Sequence, residues 1–154
     1  MGMEIERKFT VKKLPADLDS YEYHVIEQAY LVTAPTVRVR REDDSYYMTY
    51  KSIGSSDTLL VHEEYNLPLT REAYETLAGK SDGNVIRKKR YLIPCGQHTI
   101  ELDIFAEPFE SLIVAEVEFE SVEDANAFVP PKWFDEDVTD RKEYRNSYLS
   151  RVKI

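Results

Sequence analysis

Cysteine is nearly absent. Cys95 is the only one in 154 residues, which excludes an internal disulfide framework and a thiolate metal site of the usual kind. Taken alone it reads as a small, buried or half-exposed side chain rather than a nucleophile. Long apolar runs are missing as well: nothing reaches the roughly 18 residues of a membrane span. The first residues, with Glu4, Glu6 and Lys8, lack the apolar centre of a secretory signal. A soluble, cytoplasmic protein with no membrane partner is expected. Positive charge is not in excess, since 20 Lys and Arg against 29 Asp and Glu leave a net charge of -9. That balance argues against a nucleic-acid partner gripped by broad phosphate neutralisation. The five glycines nowhere form a Walker-type nucleotide loop. His24, His62 and His98 have no ligand spacing and read as surface or strand filler.

What the chain does have is alternation. Segments near 3–11, 22–33, 36–42, 45–52, 60–68, 84–93, 98–105 and 112–120 combine period-two patterning with Val, Ile, Thr, Tyr and Phe, the signature of strands. The turn formers EDDS, IGSSD and PCGQ between them predict antiparallel hairpins. Helices are predicted from Thr70 through Ala78, from Val122 to Phe128 ahead of Pro130-Pro131, and over 140–151. With 42% hydrophobic residues and no linker or repeat, one domain over 1–154 is expected. Its class is α+β, built on one large antiparallel sheet.

The alternation carries charge. Glu4, Glu6 and Lys8 share one strand face, with Ile5, Arg7 and Phe9 on the other. Arg38 and Arg40 oppose Val37 and Val39; Lys51 opposes Met48 and Tyr50. Lys88 and Arg90 alternate likewise, although Ile86 interrupts their face. Glu101 and Asp103 oppose Ile100, Leu102 and Ile104, and Glu116 and Glu118 oppose Ala115, Val117 and Phe119. Any one of these strands is explained by an ordinary solvated face. Together they segregate charge pairs too regularly for that. If the sheet curls so that these faces meet, the result is an inside-out barrel with a charged interior and helices packed outside. So many buried charges demand pairing or a charged guest.

The guest follows from the residue types. Convergent Lys8, Arg38, Arg40, Lys51, Lys88 and Arg90 suit a phosphate chain. Glu4, Glu6, Glu64, Glu101, Asp103, Glu116 and Glu118 would repel it unless divalent cations lay between, and hard oxygen ligands favour Mg²⁺ or Mn²⁺. Such metals stabilise charge in phosphoryl transfer.

EIERK, VRVRR, MTYKS, RKKRY, IELDIF and VAEVEFE, in that order, resemble the CYTH or triphosphate tunnel metalloenzyme superfamily. The tail AFVPPKWFDEDVTDRKEYRNSYL is similar to that of its short bacterial single-domain members. The resemblance implies a closed or nearly closed eight-stranded antiparallel barrel forming a triphosphate tunnel. Glu4, Glu6, Glu116 and Glu118 are then the metal group, and the six basic residues above are the triphosphate cradle. Asp103 is assigned to metal or water positioning. Glu101 is either a metal ligand or an arginine partner, and Glu64 is a further candidate ligand. Lys8, Asp103, Glu64 and Lys88 are the candidates for the chemical step.

Asn66 stands where members of the family often have a second carboxylate, which puts a second metal in question. Lys142 and Arg145, on the helix expected over a tunnel mouth, either reach the terminal phosphate or belong to a solvated face. Tyr30, Tyr47 and Tyr144 read as packing or tunnel wall, and Trp133 as an anchor for the tail. The activity implied is metal-assisted attack of water on inorganic tripolyphosphate, giving pyrophosphate and orthophosphate. A nucleoside or thiamine triphosphatase, a class IV-like adenylate cyclase and a non-catalytic polyphosphate-binding protein are the alternatives. A homodimer is left open.

Overall fold

The structure is a computed structural model and describes residues 2–53 and 60–153. The alternating segments become β1 (Gly2–Val11), β2 (Tyr23–Thr33), β3 (Thr36–Glu42), β4 (Ser45–Lys51), β5 (Leu60–Pro68), β6 (Ile86–Cys95), β7 (His98–Phe105) and β8 (Ile113–Phe119). They follow the order β5-β4-β3-β2-β6-β7-β8-β1, every pair antiparallel, and β1 pairs back onto β5. Closure leaves these eight strands as a barrel, and it sends alternate residues of each strand inward.

Two of the expected turns take left-handed backbone. Asp43, between β3 and β4, has φ 53, and Gly96, between β6 and β7, has φ 61. Asp43 is held there by its own carboxylate, which accepts from Val25 N at 2.9 Å and meets His24 Nδ1 at 2.6 Å; aspartate tolerates this region when its side chain is locally bonded. The expected turn at IGSSD lies outside the described residues beyond Ile53.

A ninth strand, β9 (Phe134–Asp137), was not anticipated. Its sequence FDED has no apolar alternation. It forms because β5 covers β1 only from Gly2 to Glu6, while β8 occupies the opposite edge from Ile5 to Thr10. The uncovered stretch around Phe9 and Val11 pairs with β9, satisfying backbone groups that would otherwise form an open edge.

The apolar outer faces are covered in two places. Helix α1 (Arg71–Ala78) starts at Thr70, whose hydroxyl accepts from Ala73 N at 3.0 Å, and it buries Tyr74 against Ala29 and Val39. Helix α2 (Val122–Ala127), capped by Ser121, and the segment after it cover the larger core around Phe9, Leu102, Val117 and Phe119. Trp133 packs against that core, and its carbonyl accepts from Lys12 N at 2.9 Å, which ties the tail to the body. Among the described residues no helix is long and apolar enough to cross a membrane.

The continuous helix expected over 140–151 is broken. A 3-10 turn at Lys142–Tyr144 is followed by extended Arg145 (φ -81, ψ 139) and then by the short α3 (Asn146–Leu149). Lys8 Nζ donates to the Tyr144 carbonyl at 3.1 Å, an acceptor that an unbroken helix would give to the backbone N–H four residues later. α3 brings Leu149 onto Tyr30, Ile86, Phe105 and Val114, which project from inner strand faces. The interior is therefore ionic along part of its length and apolar where α3 caps it, and Ile86 interrupts the charged face of β6 because it belongs to that cap.

Candidate active site

Strand register sets the site. On adjacent β1 and β8, Glu6 lies opposite Glu118 and Lys8 opposite Glu116; Glu101 on β7 lies opposite Glu116. Arg40 on β3 is opposite Gln28 on β2, Arg90 on β6 opposite Asp103 on β7, and Lys51 on β4 opposite Glu64 on β5. These inward side chains, apart from Gln28 and Asp103, line a cavity of about 310 Å³, which Arg145, Asn146 and Ser147 complete from the capping segment.

Some of the cations are neutralised within the wall. Lys88 Nζ lies 2.7 Å from Asp103 Oδ2. Arg90 holds Asp103 through two hydrogen bonds, Nε to Oδ1 at 2.8 Å and Nη2 to Oδ2 at 2.9 Å, and reaches Glu116 at 3.1 Å. Lys51 Nζ sits 2.7 Å from Glu4 Oε1 and 3.7 Å from Glu64. That Glu4 oxygen is buried beside the Lys51 ammonium, which, with burial acting against it, keeps the Glu4 carboxyl below its ordinary pKa. Burial opposes ionisation of Glu116, yet Lys8, Arg90 and Lys88 hold its carboxyl far below the usual range.

Three guanidinium groups are left over. Among the described residues Arg38, Arg40 and Arg145 have no carboxylate within ion-pair distance. Arg38 and Arg40 are only 9% and 5% exposed, and Nε of both Arg38 and Arg145 is buried without a hydrogen-bond partner. Burial, with the like charges of Arg38 and Arg90, lowers the Arg40 pKa, although a guanidinium stays protonated. An uncompensated buried charge is costly, and an anion in the cavity would remove that cost.

The acidic side is strained in the opposite sense. Burial and the charges of Glu116 and Glu4 raise Glu6 to about 8. Burial and the charges of Glu4, Glu101 and Glu64 raise Glu118 to about 7. Oxygen-only donors that resist ionising together fit a hard divalent cation. Among the described residues no three acidic, histidine or cysteine side chains already converge on one point, so an ion would have to draw its ligands together.

Lys8, Arg38, Arg40, Lys51, Lys88 and Arg90 all line the cavity, as do Glu4, Glu6, Glu64, Glu101, Glu116 and Glu118. Three placements depart from expectation. Asp103 is 1% exposed and lies behind Lys88 and Arg90 instead of on the cavity surface. Lys142 is exposed and away from the lining, whereas Arg145, freed by the break in the helix, joins it. His62, read as filler, lines the cavity on the same face of β5 as Glu64 and Asn66, and that shared parity was its available signal. Asn66 accepts from Thr49 Oγ1. Gln28 and Asn146 were not anticipated: a neutral amide amid charge gives no periodic signal of its own.

The CYTH domain profile matches residues 2–150. An inorganic triphosphatase of Nitrosomonas europaea is 39% identical over 96% of each chain. One of Acetivibrio thermocellus is 35% identical over 97% of this chain and 94% of its own. A crystal structure of an inorganic triphosphatase superposes with a TM-score of 0.72 at 34% identity, covering 99% of this chain and 97% of that one. A putative adenylate cyclase from Bacillus halodurans, at 20% identity and a TM-score of 0.61 over 100% of this chain and 95% of that one, shares the fold. With this barrel, this order of inward charges and a match over nearly the whole length, the chain belongs to the CYTH domain family.

Proposed function

We propose that this chain is a divalent-metal-dependent triphosphatase that cleaves inorganic tripolyphosphate to pyrophosphate and orthophosphate. The observation that carries the reading is that the guanidinium groups of buried Arg38 and Arg40 and of half-buried Arg145 face one cavity with no carboxylate within ion-pair distance among the described residues. Guanidinium forks match phosphate oxygens bidentately. The curated relatives carry the name inorganic triphosphatase, and they align along essentially the whole chain. The lining is mainly charged and polar, with Ala34, Pro35 and Ile53 as its aliphatic members, which favours a bare phosphate chain over one bearing a base.

Within this reading Arg38, Arg40 and Arg145 bind phosphate oxygens; Arg90, braced by Asp103, presents fixed positive charge to the phosphorus under attack, and Lys88, whose pKa burial lowers to about 7 against the pull of Asp103, stands beside it. Water adds to the terminal phosphorus, the bond from that phosphorus to its bridging oxygen breaks, and pyrophosphate leaves as an anion that the cradle stabilises. Mg²⁺ or Mn²⁺, held by Glu4, Glu6, Glu116 and Glu118, would supply Lewis-acid polarisation of phosphoryl oxygens and relieve the repulsion among those carboxylates. Lys8, 4.0 Å from Glu116, balances charge between the acidic and basic walls.

The test is phosphate release from tripolyphosphate, ATP and thiamine triphosphate side by side, with Mg²⁺ and with Mn²⁺, and with the ATP reaction assayed for cyclic AMP. Metal-dependent preference for tripolyphosphate, lost in Arg40→Ala, is the expected result. Cyclic AMP as the main product, or tight binding without turnover in either metal, overturns it.

A further inference from the structure

We infer that Asn146 donates its Nδ2–H group to a bound phosphate, and that Gln28 is the positioning residue that turns it that way. The inference rests on the triphosphate reading for the identity of the anion but on separate observations for the residues.

Gln28 is wholly buried, a neutral side chain in the centre of a charged interior. Its amide has one permitted orientation. Arg40 Nε, 2.8 Å from Gln28 Oε1, can only donate, so the oxygen must face it. Gln28 Nε2 is thereby committed to acceptors, and it donates to Tyr30 Oη at 3.0 Å and to Asn146 Oδ1 at 3.1 Å. Lys88 Nζ donates to the same Asn146 Oδ1 at 2.9 Å.

Two donors therefore converge on one carbonyl oxygen, and Asn146 cannot turn its amide without setting its own N–H groups against them. Its oxygen is fixed toward the wall. Its NH₂ group has no protein acceptor among the described residues, and Asn146 lines the cavity. The donor-only character of Arg40 is thus transmitted through two amides, with Lys88 as a second donor to Asn146 Oδ1, and the outcome is a neutral donor facing the anion site beside the cationic ones. A neutral amide adds a hydrogen bond without adding charge to a crowded basic wall. It also joins the capping segment to β2, β3 and β6 through the residues that touch phosphate.

Asn146→Asp is the discriminating variant. It keeps the shape and the oxygen that receives Lys88 and Gln28, but it exchanges the NH₂ group for an oxygen and adds a negative charge, so Asn146→Ala, which removes the donor without that charge, must show the same rise. The expected result is KM for tripolyphosphate, and Kd for metal-free pyrophosphate by calorimetry, raised about tenfold or more, as fits loss of a donor to a charged group. The thermal midpoint should hold near that of the parent. Gln28→Glu keeps the acceptor for Arg40 and sets an oxygen against Asn146 Oδ1, so it should raise the same constants. The double variant should depart from the product of the two single effects, because both act through one amide.

Parent-like KM and Kd in Asn146→Asp, or multiplicative effects in the double variant, overturn the inference while leaving the triphosphatase reading intact. If the parent fails to turn over tripolyphosphate yet binds pyrophosphate with the loss described, the triphosphatase reading falls and the amide pair stands. Absence of pyrophosphate and tripolyphosphate binding in the parent overturns both.

Discussion

Lys88 Nζ and Asp103 Oδ2 lie 2.7 Å apart with both side chains 1% exposed. Arg90 closes on the same carboxylate from the neighbouring position on β6. One acid thus braces two cations of the cradle from behind. Asp103→Ala is expected to destabilise the metal-free protein by about 3–5 kcal/mol, the cost of leaving a buried charge uncompensated. Chemical denaturation measures it. A metal ligand with no bracing role would show the opposite pattern, with parent-like metal-free stability and weakened ion binding.

Arg38 and Arg40 hold charge with no carboxylate within ion-pair distance among the described residues. Arg38→Ala and Arg40→Ala should each reduce tripolyphosphate turnover far more than Arg71→Ala, whose side chain is exposed on α1 and pairs with Glu75. Without ligand, neither cradle variant should be destabilised in proportion to its loss of activity, because relieving a buried like-charge contact offsets lost packing. Paired kinetics and thermal melts decide this; equal activity losses in all three variants contradict the anion cradle.

The acidic wall links pH to metal. Burial and the Glu116 and Glu4 charges raise Glu6 from its ordinary 4.5 to about 8. Between those values the folded chain keeps a proton that the unfolded chain has lost, so this group's contribution falls as pH rises through the window. A divalent ion among the carboxylates reverses that loss. Mg²⁺ should therefore raise the thermal midpoint more near pH 8 than near pH 5, and Glu6→Gln should flatten the difference. A pH-independent shift contradicts ion binding at this wall.

Arg7 sits inside the charged N-terminal signature but points the other way. Its guanidinium donates to the carbonyls of Ala125 at 2.9 Å and Phe128 at 3.3 Å, at the end of α2, and pairs with Asp137 on β9 at 2.9 Å. Arg7→Ala should lower stability by about 1.5–3 kcal/mol with KM for tripolyphosphate unchanged. Denaturation and steady-state kinetics on the same preparation check it, and a raised KM at parent stability would place Arg7 in the site instead.

Period-two alternation made the inward face of each strand readable because a strand fixes side-chain direction locally. Ile86 marks the limit of that reading: it breaks the charged pattern of β6 for a reason found only in α3, more than fifty residues later in the chain. The unbroken helix expected over 140–151 is likewise interrupted at extended Arg145, beside the Tyr144 carbonyl that accepts from Lys8 at the far end of the chain. β9 likewise owes its existence to a gap along β1 and not to its own composition.

The sequence by itself determined which charges face inward and that an anion with metal suits them, because residue type and strand parity are local properties. Only the tertiary structure decided which charges are spent on each other. Register and barrel closure put Asp103 behind Lys88 and Arg90, leave Arg38, Arg40 and Arg145 without carboxylate partners among the described residues, and aim Asn146 at the cavity. Those relations depend on contacts between residues far apart in the chain, to which a pattern of period two is blind.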